Sequence, residues 1–180
     1  MSHKILIAGA TGKQGGAVLK HLLSSPNATE FSYLAVTRNP TSVGALSLAS
    51  SPSVSLVQGD FQNAGKIFSQ LEEPIWGTML VTMPGKNEET QGKAMVDEAI
   101  KAKVRHFVFA SLDRNDNSKP TEVPHFASKH NIEQYLMARA KETGMTWTIL
   151  RPVAFMDNYF DSTTLSLCST IHPADTLQTC

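Results

Sequence analysis

Six short apolar runs, each followed by or leading into a stretch with helical spacing, constrain this chain more than any other feature. The runs are Lys4 to Ala8, Phe31 to Thr37, Ser53 to Val57, Thr78 to Met83, His106 to Ala110 and Thr146 to Leu150. Helical patterns lie between them at about Gly12 to Ser24, Pro40 to Ala49, Asn63 to Leu71, Glu88 to Ala102 and Pro124 to Thr143. This alternation is that of repeated βαβ units. KILIA, TMLVT and HFVFA are apolar almost throughout, which suits central parallel strands covered on both faces. In the last helix Ile132, Tyr135, Leu136 and Ala140 share one face, expected to pack on the sheet. The expected fold class is α/β, a doubly wound parallel sheet of Rossmann type, whose right-handed crossovers favour the strand order 3-2-1-4-5-6. Ligands then bind at the carboxyl ends of the strands.

At the first such end stands ILIAGATGKQGGAV. Gly9 fits the tight turn, Gly12 the approach of backbone to a pyrophosphate, and Gly15 the close passage of helix over sheet. The helix start adds free N–H groups and partial positive charge. Thr11 and Gln14, inside the turn, join these glycines as cofactor-binding candidates, against the alternative of a purely structural turn. At the end of the second strand, where an acidic residue would accept from a ribose carrying both hydroxyls, the chain has Thr37-Arg38-Asn39-Pro40. The Arg38 guanidinium suits a 2′-phosphate, so NADP(H) is expected to be preferred over NAD(H). The alternative is an exposed strand-end charge. Asp60 in VQGDFQN either accepts from an adenine amino group, with Phe61 over the ring, or caps a turn while Phe61 packs in the core. Thr82, near the end of the fourth run, is a further cofactor-binding candidate.

The chain has 180 residues, enough for one good core. Residues 1–160 are read as the dinucleotide-binding domain and 161–180, rich in Ser and Thr, as an irregular tail. Lys plus Arg equals Asp plus Glu at 16 each, with no basic block, which disfavours direct nucleic-acid binding. The first strand begins almost at Met1, no run has membrane-spanning length, and Cys168 and Cys180 are the only cysteines. These features point to the cytoplasm or the nucleus, a reduced compartment, and no membrane. Without a secretory signal, the triplet Asn27-Ala28-Thr29 is expected to be a chance glycosylation match.

GATGKQG, VTRNP, VQGDF, HFVFASLDR, HFASKHNIEQYL and TILRPVAFMDNYF, in that order, resemble the NmrA-like branch of atypical short-chain dehydrogenases, from about Lys4 to Phe160. The resemblance implies a Rossmann fold, NADP(H) or NAD(H) binding, and relatives that regulate transcription or sense nicotinamide redox state through protein partners. Other relatives are NADPH-dependent quinone and isoflavone reductases. Family members run well beyond this length, so the small C-terminal lobe is expected to be largely missing.

Short-chain dehydrogenases use a Tyr as proton donor, a Lys one helical turn later and a Ser at the end of the fifth strand. Here Ser111 and Lys129 are present, but the Tyr position is His125. Lys129 retains the task of binding the nicotinamide ribose. His125 either replaces the phenol, with a cationic Lys weakening it as an acid, or packs in the cleft without chemistry. The leading expectation is an NADP(H)-binding redox-sensing or transcription-regulatory module acting through a protein partner such as a transcription factor, binding cofactor without turnover. The alternatives are an NADPH-dependent reductase of quinones or carbonyls, with Ser111, His125 and Lys129 as catalytic candidates, or a shortened, non-functional form.

Overall fold

A computed structural model of the chain describes residues 3–117, 119, 121–153 and 155. The six expected strands form one parallel sheet: β1 (His3–Ala8), β2 (Phe31–Thr37), β3 (Val54–Gln58), β4 (Gly77–Leu80), β5 (His106–Ala110) and β6 (Thr146–Leu150). Their order is β3-β2-β1-β4-β5-β6, the one the crossover rules favour. In register, Ala8 at the end of β1 stands between Val36 of β2 and Leu80 of β4. Chain direction across the sheet reverses at this point, and a crevice opens above it.

Five helices connect the strands: α1 (Lys13–Leu23), α2 (Val43–Ala49), α3 (Ala64–Phe68), α4 (Glu88–Lys101) and α5 (Pro124–Thr143). On one face of the sheet Ile7, Tyr33, Ala35 and Val54 pack with Leu19 of α1 and, at the margin, Leu48 of α2. On the other, Leu6, Ala8, Leu80, Phe107 and Phe109 meet Ile67 of α3, Met95 and Val96 of α4, and Ile132 and Leu136 of α5. The expected stripe on α5 therefore does face the sheet. Tyr135 lies at its margin, with its hydroxyl donating to the Asp97 carboxylate on α4. The helix starts on a proline, as a first-turn position allows, and stops at Gly144, whose φ of 75° suits a glycine cap.

Several element ends differ from expectation by a residue or more, and three of them have a clear local reason. The fourth strand was expected to reach Met83, but its ladder ends at Leu80. Val81 N–H still donates to Ala8 O at 3.0 Å, after which Thr82 turns inward and Met83 is 69% exposed. Residues 40–42 stay outside α2 because the Asn39 side chain binds Thr41, and Ser42 caps the helix by accepting from Ala45 N–H. Asn63 caps α3 in the same way through Lys66 N–H. The tail reading for 161–180, with Cys168 and Cys180, lies outside the described residues. Among the described residues no helix is long and apolar enough to cross a membrane.

Candidate dinucleotide site

The β1–α1 turn is built by its glycines. Gly9 has a φ of 96°, and a Cβ there would come within 3.0 Å of Val81 O. Gly12 N–H donates back to Gly9 O at 3.0 Å, closing the turn. At Gly15 a Cβ would stand 2.3 Å from Gly9 O, so the absence of a side chain brings α1 down onto the turn. Gly12 is different: a Cβ there meets only Gly9 O, at 3.3 Å. The space in front of Gly12 is open, as a phosphate would require. Gly12 is also the N-cap of α1 and supplies no side-chain acceptor, and the first turn carries no acidic residue. The start of α1, with its free N–H groups and the positive end of the helix dipole, therefore lies at the carboxyl end of β1. Thr11 is exposed and Gln14 half-buried beside it.

Arg38 follows β2 and is exposed, and no hydrogen bond or ion pair holds its guanidinium among the described residues. Its backbone is fixed more firmly: Thr37 Oγ1 spans to Asn39, and Gln58 Nε2 donates to Arg38 O. Asp60 caps the short turn Phe61–Asn63, its Oδ1 accepting from Gln62 N–H at 2.9 Å, and Phe61 packs at the margin of the core. The capping and packing roles are thus present. Phe61 and Gln62 also line a cavity of about 290 Å³ shared with Asn87 and Gln91 at the start of α4.

At the ends of β4 and β5 the polar groups form one buried cluster. Lys129, on the inward face of α5, is 6% exposed. Its Nζ donates to Ala110 O at 2.7 Å and to Thr82 Oγ1 at 2.9 Å, and sits 5.1 Å from the Phe109 ring centroid. Thr82 Oγ1 donates to Glu88 Oε1 at 2.7 Å, and Lys129 Nζ lies 3.6 Å from the same oxygen. Glu88 Oε2 meets His125 Nδ1 at 2.6 Å. Burial pushes the Lys129 ammonium below the usual lysine range, with Glu88 opposing the shift. Ser111 is buried where β5 ends, its N–H donating to Leu150 O at 2.8 Å.

The model of the NmrA-like family matches residues 1–178, past the Phe160 limit of the sequence resemblance. The chain belongs to the NmrA-like family. Curated relatives include the NmrA-like family domain-containing oxidoreductase FrzB of Cladobotryum sp., 34% identical over 179 residues, covering 88% of this chain and 48% of that protein. The corresponding oxidoreductase lnaB of Aspergillus flavus is 31% identical over 167 residues, covering 86% of this chain and 48% of that one. The chain thus spans about half the length of the curated relatives it matches. Among solved structures, NmrA, a negative transcriptional regulator, aligns with a TM-score of 0.72 at 22% identity, covering 88% of this chain and 48% of that one. Triphenylmethane reductase of Citrobacter sp., complexed with NADP(H), aligns with a TM-score of 0.72 at 20% identity, covering 93% and 55%. The fold is the Rossmann fold of these proteins; NmrA itself has been solved with NADP and with NAD.

Of the residues singled out by sequence, this NmrA-like chain brings Thr82, Ser111, His125 and Lys129 to the ends of β4 and β5, and Gly9, Thr11, Gly12, Gln14 and Gly15 to the adjoining turn. Arg38 and Asp60 lie farther along the same edge, after β2 and β3. Sequence spacing placed Lys129 next to His125. The structure adds Glu88 between them, a residue that reads in sequence as an ordinary acidic helix start.

Proposed function

We propose that this chain is the dinucleotide-binding part of an NADP(H)-preferring NmrA-like oxidoreductase, with His125 as the proton-bearing group. The observation that carries the reading is the Glu88 carboxylate 2.6 Å from His125 Nδ1, because a buried carboxylate at that nitrogen fixes the ring and leaves the other nitrogen turned away from it, where it can exchange a proton with a substrate. The names of the curated relatives at 31–34% identity support it, being oxidoreductases, whereas the likeness to the regulator NmrA is one of fold.

The residues fit the cofactor: the open space before Gly12 and the uncapped start of α1 suit a pyrophosphate, and the unpaired Arg38 suits a 2′-phosphate. Asp60 and the cavity beside Phe61 suit an adenine. When bound, the nicotinamide supplies or takes up hydride. Ser111 and His125 then stand at the strand ends to hold a substrate oxygen and to move its proton. Lys129 has its donors turned toward Ala110 O and Thr82, so its part is to fix the ends of β4 and β5 and to balance Glu88 rather than to reach outward.

Calorimetric titration with NADPH, NADP, NADH and NAD, followed by NADPH consumption with an added quinone, tests this. We expect tighter binding of the phosphorylated pair, reduced about tenfold or more in preference by Arg38→Ala. Acceptor-dependent consumption should be lost in His125→Phe. Equal affinities would remove the role given to Arg38. Binding without any consumption would favour a regulatory module acting through a protein partner.

A further inference from the structure

Glu88 opens α4 and is only 1% exposed. An acidic residue is favourable at a helix start, but such a carboxylate ordinarily remains in water. Here its two oxygens are divided between two tasks. Oε1 accepts from Thr82 and faces Lys129, which balances the buried charge; Oε2 is left for a single partner, the His125 ring, whose side chain is 31% exposed. A carboxylate that accepts at Oε2 takes its hydrogen bond from Nδ1, and Nε2 is then the ring nitrogen without a fixed partner among the described residues.

We infer that Glu88 is a positioning residue that holds His125 in its Nδ1–H form and presents Nε2 to a substrate oxygen. The inference rests on the reading of His125 as the proton-bearing group. In the imidazolium the Nε2–H bond breaks as an O–H bond forms on the substrate. The ring is left neutral with its remaining proton on Nδ1, still against Glu88, and it regains a proton from solvent at its exposed edge. Thr82 and Lys129 keep the carboxylate from turning away, because rotation would break the Oε1 contacts.

Long-range proton–nitrogen NMR of the labelled chain reads the tautomer directly, with the His125 signals assigned by their loss in His125→Phe. The Nδ1–H form should be present in the unmodified chain and lost in Glu88→Leu, which offers Nδ1 no acceptor. The double variant Glu88→Leu, Lys129→Met removes both buried charges together, and so covers the case in which an unbalanced Lys129 prevents the single variant from folding. It too should lose the Nδ1–H form. In a quinone-dependent assay Glu88→Leu should lower kcat at least about tenfold with KM for NADPH unchanged. An Nδ1–H form that survives in the double variant overturns the inference, and so does a rise in KM with kcat intact. If the tautomer changes as expected while the unmodified chain consumes no NADPH, the placement of His125 by Glu88 is supported and the oxidoreductase reading fails.

Discussion

Gly12 and Gly15 are three residues apart, yet they face different constraints. A side chain at Gly15 would overlap the Gly9 carbonyl, whereas one at Gly12 would project into the crevice. Gly12→Val should therefore abolish dinucleotide binding in calorimetry at only a modest cost in stability, since its Cβ meets a single backbone atom, Gly9 O, at 3.3 Å. Gly15→Val should lower stability by about 1–3 kcal/mol as well, since backbone must move to admit it. Equal stability losses in the two variants would contradict this division. Gly9 and Gly15 were legible in sequence as turn glycines, because each stands where a Cβ cannot fit. Glu88 was not, because its use depends on Thr82, His125 and Lys129, which are distant in sequence or hidden in helical spacing until the strands bring them together.

Between elements, α5 is joined to the end of β6 by a second buried carboxylate. Glu133 is 1% exposed and receives Arg151 through Nε at 3.0 Å and Nη2 at 2.9 Å. Arg151→Ala leaves that charge unpaired and should cost about 2–4 kcal/mol in urea unfolding, whereas the apolar pair Glu133→Leu, Arg151→Met should recover most of the loss. On the outer side of the same helix, Asn131 and then Lys93 donate to Glu89 of α4 and hold its carboxyl below the usual range. The folded form thus binds fewer protons there than the unfolded chain. Its contribution is present above the ordinary glutamate value and is lost as pH falls through the lower folded one. Glu89→Gln should accordingly lower the thermal midpoint near pH ~7 and have much less effect near pH ~3. A constant difference at both pH values would assign its effect to packing. Element types were legible from periodicity, and α5 was bounded as the pattern placed it. The end of β4 was missed because the apolar run continues through Val81 and Met83 after the ladder stops, and composition does not mark where a strand leaves its sheet.

At the scale of the whole molecule, the strand order followed from connection rules and the position of the site from the reversal beside β1. The sequence carried no comparable sign of how evenly the sheet is covered. Among the described residues β6 pairs with β5 alone, and of its residues all but Ile149 are exposed. This unevenness has an optical consequence. The two tryptophans differ in setting: Trp76 lies between the His3 ring at 5.7 Å and the His106 ring at 6.1 Å, while Trp147 stands on the edge strand, 41% exposed. Acrylamide should quench two emission components unequally, with the more accessible one missing in Trp147→Phe. Dinucleotide binding at the far ends of the strands should leave that component unchanged. Anything that adds to the β6 edge, whether another strand or another chain, should darken the quencher's view of Trp147 first, so that the fluorescence of one residue reports whether the sheet has gained a neighbour.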